Sequence, residues 1–474
     1  MRPTLHWRIL GAGTLGFLLL LATTGSGTAA DPPPQKGPAR NPGRPRRGAL
    51  TDKEMAMAKI AWKYFENNTN AKTGLANAVD AYPSTTMWDT ASYLAGLVCA
   101  HQLGIITKNE FDRRISSILK TFNEMAFFRD ELPNKAYNTD AAQKVDYANK
   151  PGEIGYSAID LGRLLIWFKI IKERYPEHGN GIDSFVSRWH FCNIVDTCGS
   201  MYGAILDDKK NVQYLQEGRL GYEEYSAKGF QLWGFSTERA SKPDPYDIAE
   251  IYGIEIPYDR RDPRTLKAHN YVVGESYILD GLELDWDEAS DQKSDDQTHT
   301  NAWMADFAQR VYQVQENRYK ATGIITARTE HQLDGPPYFV YDTIYSDGYP
   351  WNTITDEGAF VPEKAAVSLK AALGLWSLWN TEYTDLVFDA TSNLYDPAKG
   401  FYEGRYEKTG GVINTFTANN NGIILESLLH KVQGKLLKFN GKESMWDRLI
   451  TDEFGDKNKC LPQHRQQCSR TVPR

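Results

Sequence analysis

Apolar residues recur with a helical period along most of the chain. Over residues 55–65, every third or fourth residue is apolar, which predicts an amphipathic helix. Thr51 and Glu54 precede this stripe with the spacing of a capping box, the usual start of a helix. Thr107 and Glu110 mark a second such start. Strand patterns are few and short, as in "PYFVYDTI" and "FYEGRYEKTGGV".

One pattern of helix start is repeated along the chain. An aromatic residue, then small residues, then an apolar helix occur at Trp88, Tyr156 and Tyr225, which are 68 and 69 residues apart. Less regular copies begin near Tyr277, Val367 and Phe416. About six helix pairs repeated roughly every 70 residues favour an all-α fold, an (α/α)6 toroid of helix hairpins with short β elements in its loops. An irregular all-α domain is the alternative.

The first 49 residues lie outside this pattern. Residues 1–30 combine a positive start, an apolar run from Ile9 to Ala22 and small residues at 28–30, which predicts a cleaved export signal. An uncleaved membrane anchor is the alternative, although the run is shorter than the roughly 20 residues that span a bilayer. The Pro- and Arg-rich residues 31–49 are expected to form a disordered linker.

These boundaries leave a toroid domain over residues 50–450 and a C-terminal tail over residues 451–474. We therefore expect a periplasmic or secreted protein, with no transmembrane segment after signal cleavage.

Charge separates the two parts of the chain. The formal net charge is -7, but residues 1–48 carry +6, which leaves -13 for the remainder. An acidic folded part argues against nucleic acid as a partner. Aromatic residues make up 12% of the chain, including 12 Trp and 26 Tyr, and flat apolar rings suit the C–H faces of sugars.

The five cysteines fit an oxidising compartment. Cys192 with Cys198, and Cys460 with Cys468, are close enough in sequence to close small disulfide loops. Cys99 lies in an apolar helical stretch and is expected to be a buried free thiol. No spacing of Cys and His fits a zinc site, and the acidic run at residues 285–296 is interpreted as a solvated loop rather than a calcium site. We predict no metal and no cofactor.

Four stretches carry a family resemblance: "TGLANAVDAYPSTTMWDTASYL", "GYSAIDLGRLL", "GYEEYSAKGFQLWG" and "YPWNTITDEGAF". Over roughly residues 55–429 the chain resembles an exported bacterial family known only as a domain of unknown function, of the DUF3131 type. That resemblance implies no settled activity. More loosely, the pattern is similar to the toroidal glycosidases, with their glucoamylase-like and β-1,2-glucanase relatives. This second likeness implies an architecture and not a reaction.

In a toroid, the loops before the inner helices meet at one end. Those loops carry carboxylates beside aromatic residues, which would form one acidic, aromatic-lined cleft, although a carboxylate at a helix start is ordinarily a cap. Glycoside hydrolysis needs a protonated carboxyl and an ionised one in such a cleft. The predicted catalytic residues are Glu153, Asp89, Asp356 and Glu357. The predicted sugar-binding residues are Trp88, Tyr156, Tyr225, Glu275, Tyr277, Asp342 and Trp351.

Glu153 is the preferred proton donor, because apolar residues and two glycines, Gly152 and Gly155, flank it. The base would be Asp89, Asp356 or Glu357. Asp160 and Arg163 are interpreted instead as members of structural ion pairs.

The sequence thus predicts an exported protein that hydrolyses glycosidic bonds of an oligo- or polysaccharide. Two alternatives stay open. One is a polysaccharide lyase on a similar toroid, which would need a Tyr or His base. The other is a non-catalytic protein that binds or assembles an exopolysaccharide, which would keep the aromatic residues without needing a close pair of carboxylates. The sugar, the linkage and the oligomeric state are left open.

Overall fold

The computed structural model of the protein describes residues 44–217, 219–261, 270–293 and 298–442, together with Trp446. The predicted export signal, the predicted C-terminal tail and the cysteines Cys460 and Cys468 lie outside these residues. Most of the predicted linker lies outside them as well.

Eleven α-helices occur in the described residues. In chain order they are α1 (Asp52–Asn68), α2 (Met87–Gln102), α3 (Lys108–Glu124), α4 (Ala158–Arg174), α5 (Gly179–Val186), α6 (Tyr222–Leu232), α7 (Glu275–Leu284), α8 (Ala302–Thr322), α9 (Leu369–Leu378), α10 (Glu382–Thr391) and α11 (Ala418–Gln433). The predicted capping box of Thr51 and Glu54 starts α1. Thr107 caps α3, but the side chain of Glu110 pairs with Arg114.

Sixteen short strands lie between these helices. They are β1 (Ser84–Thr86), β2 (Ala136–Asn138), β3 (Lys144–Val145), β4 (Tyr202–Leu206), β5 (Val212–Gln216), β6 (Tyr246–Ile251), β7 (Ile254–Asp259), β8 (Glu330–Gln332), β9 (Phe339–Asp342), β10 (Tyr345–Ser346), β11 (Tyr349–Pro350), β12 (Thr353–Ile354), β13 (Ala366–Ser368), β14 (Tyr395–Asp396), β15 (Gly400–Tyr406) and β16 (Val412–Phe416). The largest sheet has four strands, with β13, β14 and β16 all antiparallel to β15. Since the chain is 42% helical and 19% strand, the predicted all-α class is too simple.

Six helices form the inner ring of an α/α toroid. α2 packs against α4, α4 against α6, and the contacts continue through α7, α9 and α11 back to α2. These helices are buried on nearly every side, as in α2, where 13 of 16 residues are buried. A helix that is apolar all round belongs in a core, because it has no face left for solvent. The ring of helix pairs confirms the predicted toroid.

The outer layer consists mainly of one-sided helices. α3 buries one stripe, which includes Phe111, Ile115 and Phe122, and packs against α2 and α5. α1 packs against α11 and α2, and α10 packs against α9. The described part of the segment between α6 and α7 contains the β6–β7 hairpin, which packs against α8. A regular repeat of helix pairs therefore does not describe this sector.

Residues 44–49 are packed against the ring, so the prediction of a disordered linker is wrong for them. The backbone N–H of Arg46 donates to Ser377 O, and its guanidinium lies 2.7 Å from Asp385 and 5.0 Å from the ring centre of Trp376. These contacts hold the segment beside the C-terminal end of α9 and the first turn of α10.

Cys192 and Cys198 are both disulfide-bonded, as their spacing in the sequence predicted. Cys99 is a buried free cysteine, as predicted. Within the described ranges, no helix is both long enough and apolar enough to cross a membrane.

Candidate functional site

The six inner helices have their N-terminal ends at one face of the ring. We use the word mouth for the space at this face and for the loops that lead into these helices. These loops are long: residues 125–157 connect α3 to α4, and residues 323–368 connect α8 to α9. The connections on the opposite face are short, such as residues 103–107 and 379–381. The irregular backbone that can carry functional side chains therefore concentrates at the mouth.

Glu275, the first residue of α7, lies at the centre of the mouth floor. Its Oε1 accepts hydrogen bonds from Trp88 Nε1 (3.1 Å) and Asn419 Nδ2 (2.7 Å). Its Oε2 lies 2.5 Å from Lys370 Nζ and accepts a 3.1 Å bond from Thr329 Oγ1. Because these partners come from α2, α11, α9 and the segment before β8, one carboxylate joins four parts of the ring.

The floor carboxylate is held in its ionised form. Burial opposes the charge of Glu275, but Lys370, with help from Asn419 and Arg163, outweighs burial and lowers the pKa of Glu275. Both members of the Lys370–Glu275 pair are buried. Glu275 is therefore a fixed anion that holds Trp88 and Lys370 in place, and it has no proton to donate.

Beneath the floor, Arg163 crosses the axis of the ring. Its guanidinium lies 4.6 Å from the ring centre of Trp88, within cation–π distance, and donates to Ser92 Oγ at 2.8 Å. Its Nη2 lies 3.1 Å from Glu426 Oε1, and its Nε lies 3.7 Å from Glu283 Oε1. The interpretation of Arg163 as a structural ion-pair residue is confirmed.

Asp89, Asp160 and Glu217 form the first wall of the mouth. Asp89 and Asp160 are the third residues of α2 and α4. The backbone N–H of each donates a hydrogen bond to the hydroxyl of the residue that precedes its helix, Thr86 or Ser157. Glu217 reaches over the start of α4, where its Oε2 accepts hydrogen bonds from Ser157 Oγ and the Ile159 N–H, both at 3.1 Å. All three carboxylic side chains are partly exposed.

Asp160 holds a proton near neutral pH. Burial and the negative charges of Glu217 and Asp89 raise the pKa of Asp160 to about 7, against the attraction of Lys135. The interpretation of Asp160 as a member of a structural ion pair is therefore wrong, because two carboxylates and burial outweigh the one lysine beside it.

Glu330, the first residue of β8, lies on the second wall. It follows the segment that bonds to Glu275 and precedes α9, which occupies the ring position opposite α4. Burial and the negative charge of Glu275 raise the pKa of Glu330 to about 7, against the attraction of Lys370 and Arg219. The mouth thus presents partly exposed carboxyl groups on segments that precede or begin α2, α4, α6 and α9.

Aromatic residues and a cation lie on the same second wall. Tyr271 and Tyr341 stack with their ring centres 4.2 Å apart, and Arg219 donates to Tyr271 Oη. Tyr341 and Arg219 are partly exposed, whereas Tyr271 is buried behind them. An aromatic ring, a guanidinium and Glu330 therefore share one surface.

Tyr147 lies on the rim of the mouth, in the loop that leads to α4. The Tyr82 hydroxyl donates to the backbone oxygen of Tyr147 at 3.0 Å. The ring is 66% exposed, yet the protein around it raises the pKa of its hydroxyl, with Asp160 and Tyr341 adding to the effect. A side chain that is exposed to solvent but also surrounded by protein groups lies on a concave surface.

All four predicted catalytic residues lie at the mouth, Glu153 in the loop that leads to α4. Asp89 is on the first wall, where burial raises its pKa against a 2.7 Å hydrogen bond from Thr86 Oγ1. Asp356 and Glu357 are exposed in a turn of the loop before α9, and Asp356 interacts electrostatically with Tyr341.

The expectation that Glu153 is a proton donor in apolar surroundings is wrong. Its Oε1 lies 2.5 Å from Lys144 Nζ, and its Oε2 lies 3.4 Å from Arg129 Nε. Burial opposes its charge, but Lys144 and Arg129 outweigh burial and lower the pKa of Glu153. Gly155, one of the two glycines that flank Glu153, does allow a close approach of the backbone: its φ is +109° and a Cβ atom would overlap Ala204 O.

Three tyrosines predicted to bind sugar are buried instead. Tyr156 donates to the backbone oxygen of Asn193, and Tyr225 donates to Glu283. Tyr277 is 1% exposed and its ring packs against Gly221. Each ring turns into the packing between the helices, so the prediction is wrong for all three.

Two further predicted binding residues are held by cations. Asp342 is fully buried in an ion pair with Arg328 and accepts a 2.6 Å hydrogen bond from the Ala366 N–H, so it supports the fold and does not bind sugar. Trp351 is partly exposed, and the guanidinium of Arg318 lies 4.4 Å from its ring centre. Of the predicted binding residues, Trp88 and Glu275 are at the mouth, in its floor.

Sequence reasoning did not select Asp160, Glu217 and Glu330 as candidate site residues. A signal existed for Asp160, because it occupies the same third helix position as Asp89 in the repeated pattern. Glu217 and Glu330 follow or begin strands outside the repeat, so only closure of the ring brings them to the mouth.

Comparison of the sequence with models of known protein families shows which family the chain belongs to. The model described as "Protein of unknown function (DUF3131)" matches residues 56–434. The chain belongs to the DUF3131 family. No curated protein matches it in sequence.

Solved structures show what this DUF3131 chain is similar to in fold. A proposed glucoamylase from Bacteroides caccae ATCC 43185 aligns with a TM-score of 0.58 at 13% identity, over 86% of this chain and 97% of that one. An endo-β-1,2-glucanase from Chitinophaga pinensis, in complex with sophorotriose and glucose, gives 0.55 at 12% identity, over 82% and 94%. An endo-β-1,2-glucanase from Talaromyces funiculosus, in complex with sophorose, gives 0.52 at 10% identity, over 81% and 85%. At this identity the likeness shows the toroidal fold alone.

Proposed function

We propose that the protein is an exported glycoside hydrolase whose reacting carboxyl groups are Asp160 and Glu330. One observation carries this proposal: two partly exposed carboxyls, one in the first turn of α4 and one in the loop that leads to α9, each have their pKa raised to about 7. Glycosidases need two carboxyl groups that flank the scissile bond, one of them protonated at working pH. Export rests on the sequence of residues 1–30 alone.

The neighbours of each group assign the two roles. Asp160 is the proton donor, because the charges of Glu217 and Asp89 favour its neutral form. Glu330 is the partner that acts when ionised, because Lys370 and Arg219 favour its negative charge. The reactive form of the site therefore has a proton on Asp160 and none on Glu330. A sugar in the mouth displaces water from between the walls, which strengthens both effects.

The reaction then balances without a cofactor. Asp160 gives its proton to the glycosidic oxygen as the bond between that oxygen and the anomeric carbon breaks. One water molecule is consumed: its oxygen ends on the anomeric carbon, and a proton from it restores the acid. Glu330 supports the attack at the anomeric carbon, as a base toward water or as a nucleophile. The anomer released first, followed by NMR, distinguishes these two courses.

The mouth floor supports this chemistry by positioning. Glu275 fixes Trp88 and Lys370 through hydrogen bonds from the centre of the ring, so the wall groups stand on a rigid base. The solved structures similar in fold include β-1,2-glucanases bound to sophorotriose or sophorose, which makes β-1,2-glucan a sensible first substrate to assay.

The test is a reducing-end release assay on a panel of glycans, with residues 31–474 as the protein. The panel holds linear β-1,2-glucan, starch, and neutral, amino and acidic bacterial polysaccharides. We expect release from at least one glycan, and Asp160→Asn to lower kcat by about 10²- to 10⁴-fold, because the proton donor is lost. Glu153→Gln is the matched control and should keep the parent rate, since Glu153 is an ionised partner of Lys144 and Arg129.

Each other outcome contradicts a stated part of the proposal. Release that survives Asp160→Asn would remove Asp160 from the reaction. An unsaturated product would indicate a lyase. Binding to a glycan without release from any would indicate a non-catalytic glycan-binding protein.

A further inference from the structure

The most exposed aromatic side chains lie on two loops that face each other across the mouth. Tyr147 is 66% exposed in the loop that leads to α4. Tyr338, Tyr349 and Phe360 are 61%, 67% and 62% exposed in the loop that leads to α9. α4 and α9 occupy opposite positions in the inner ring. Exposed apolar groups gathered at one face of a soluble protein mark a binding surface.

Tyr147 is the member of this set nearest to the proposed reacting groups. Its hydroxyl interacts electrostatically with Asp160 and Glu217 on the first wall and with Tyr341 and Asp356 across the mouth. The hydrogen bond from Tyr82 fixes its backbone at the rim. With its backbone held, the tyrosine has only two side-chain torsions to order, so it offers its ring face at a low cost in conformational entropy.

We infer that Tyr147 binds a sugar unit next to the one that reacts, and that the substrate is a polysaccharide chain laid across the mouth toward the loop of residues 338–360. Tyr147 is a substrate-positioning residue, since its ring contacts a sugar that undergoes no bond change. Aromatic groups on both sides of the reacting centre mean that sugar units continue in both directions, so the bond that is cut lies inside the chain. This inference rests on the proposed function.

The test compares Tyr147→Ala and Tyr147→Phe with the parent, on the panel glycan that is cut and on its short oligosaccharides, with linear β-1,2-glucan as the first probe. We expect Tyr147→Ala to raise KM for the polymer about three- to tenfold with little change in kcat, since one aromatic contact is lost. Tyr147→Phe keeps the ring and should behave as the parent. The early products from the polymer should be a range of lengths.

Val432→Ala provides the control for removal of an exposed apolar side chain. Val432 is 43% exposed in the last turn of α11, at the end of the helix that faces away from the mouth, so this change should leave KM unaltered. An unchanged KM in Tyr147→Ala, or release of one small product from chain ends only, would overturn the inference while the hydrolase proposal stands. No cleavage of any panel glycan would overturn both.

Discussion

At the scale of single residues, the mouth sorts its carboxyl groups by their neighbours. Glu275 has Lys370 at 2.5 Å and three hydrogen-bond donors, so it is ionised although buried. Burial and the neighbouring carboxylates Glu217 and Asp89 raise the pKa of Asp160 to about 7. The same chemical group therefore serves as a fixed anion in one place and as a proton store in another.

The buried Lys370–Glu275 pair gives the first stability prediction. We expect Lys370→Met to lower the free energy of unfolding by about 3–5 kcal/mol at neutral pH, because a buried carboxylate is left without its cation. Urea unfolding followed by circular dichroism measures this. The double variant Lys370→Met/Glu275→Gln removes the stranded charge and should recover part of the loss. An equal or larger loss in the double variant would contradict the explanation.

The same pair sets an acid limb of stability. The pKa of Glu275 is lower in the folded protein than in the unfolded chain, so its contribution is complete above the unfolded value of about 4.3 and is lost as pH falls below it. Lys370→Met should therefore flatten the fall of stability between about pH 5 and pH 3.

Single residues were also where sequence reasoning was least reliable. Glu153 and Asp160 both precede or begin the same helix, and the sequence favoured Glu153 as the proton donor, although its cation partners lower its pKa. The partners that decide their pKa values are Lys144 and Arg129 for the first and Glu217 for the second. A local sequence pattern does not give the distances between side chains from different loops. The sequence therefore indicated which carboxylates lie near the mouth but not which of them has the higher pKa.

At the scale of elements, α4 and α6 set the shape of the first wall. They cross closely, since a Cβ atom at Gly229 of α6 would overlap Gly162 O of α4, and one at Gly162 would overlap Ser226 O. This backbone-to-backbone contact places the start of α4, with Asp160, beside the segment that carries Glu217.

Enlarging that contact should therefore be costly. We expect Gly229→Ala to lower the free energy of unfolding by about 1–3 kcal/mol, because the added methyl group must push the two helices apart. Gly179→Ala in α5 is the control, since its nearest neighbour atoms would be 4.0 Å away, and it should be neutral or stabilising by up to about 1 kcal/mol. Equal losses in both variants, measured by urea unfolding, would contradict the close-contact explanation.

The positions of most helices were predictable from the sequence, but the direction in which their aromatic side chains point was not. The apolar period and the capping residues predicted α1, α2 and α3, and the aromatic helix starts predicted α4 and α6. The same aromatic residues were expected to face the mouth, but Tyr156 and Tyr225 are buried between the helices. An aromatic residue at the start of a helix can point either to the mouth or into the core, and the sequence pattern is the same in both cases. Strands of two to seven residues carry too little pattern to be recognised, so the share of β structure was missed.

At the scale of the whole molecule, the ring is closed by polar contacts along its axis. Arg163 of α4 bonds to Ser92 of α2, to Asn419 and Glu426 of α11, and lies 3.7 Å from Glu283 of α7. Burial and the charge of Glu283 raise the pKa of Glu426. The toroid was predictable because three regular repeats imply six, but this buried network was not, since its hydrogen-bonded members, such as Ser92 and Asn419, are up to 327 residues apart.

Loss of the axial cation should weaken the whole ring. We expect Arg163→Met to lower the free energy of unfolding by about 3–5 kcal/mol, because buried carboxyl groups on two other helices lose their partner. Arg260→Met is the control: it removes an arginine from an exposed pair with Asp247 and should cost less than about 1 kcal/mol. Urea unfolding of both variants checks the difference, and similar losses would contradict the role of the axis.

The central claim is that Asp160, kept protonated by its surroundings, is the proton donor, and the pH dependence of kcat/KM tests it most directly. Because the acid must be protonated, the rate should fall as pH rises through about 7. Glu217→Gln removes a charge that raises the pKa of Asp160, so this limb should move to lower pH; Lys135→Met removes an opposing charge, so it should move to higher pH. Opposite shifts would support the account. A limb that stays in place in both variants would contradict it.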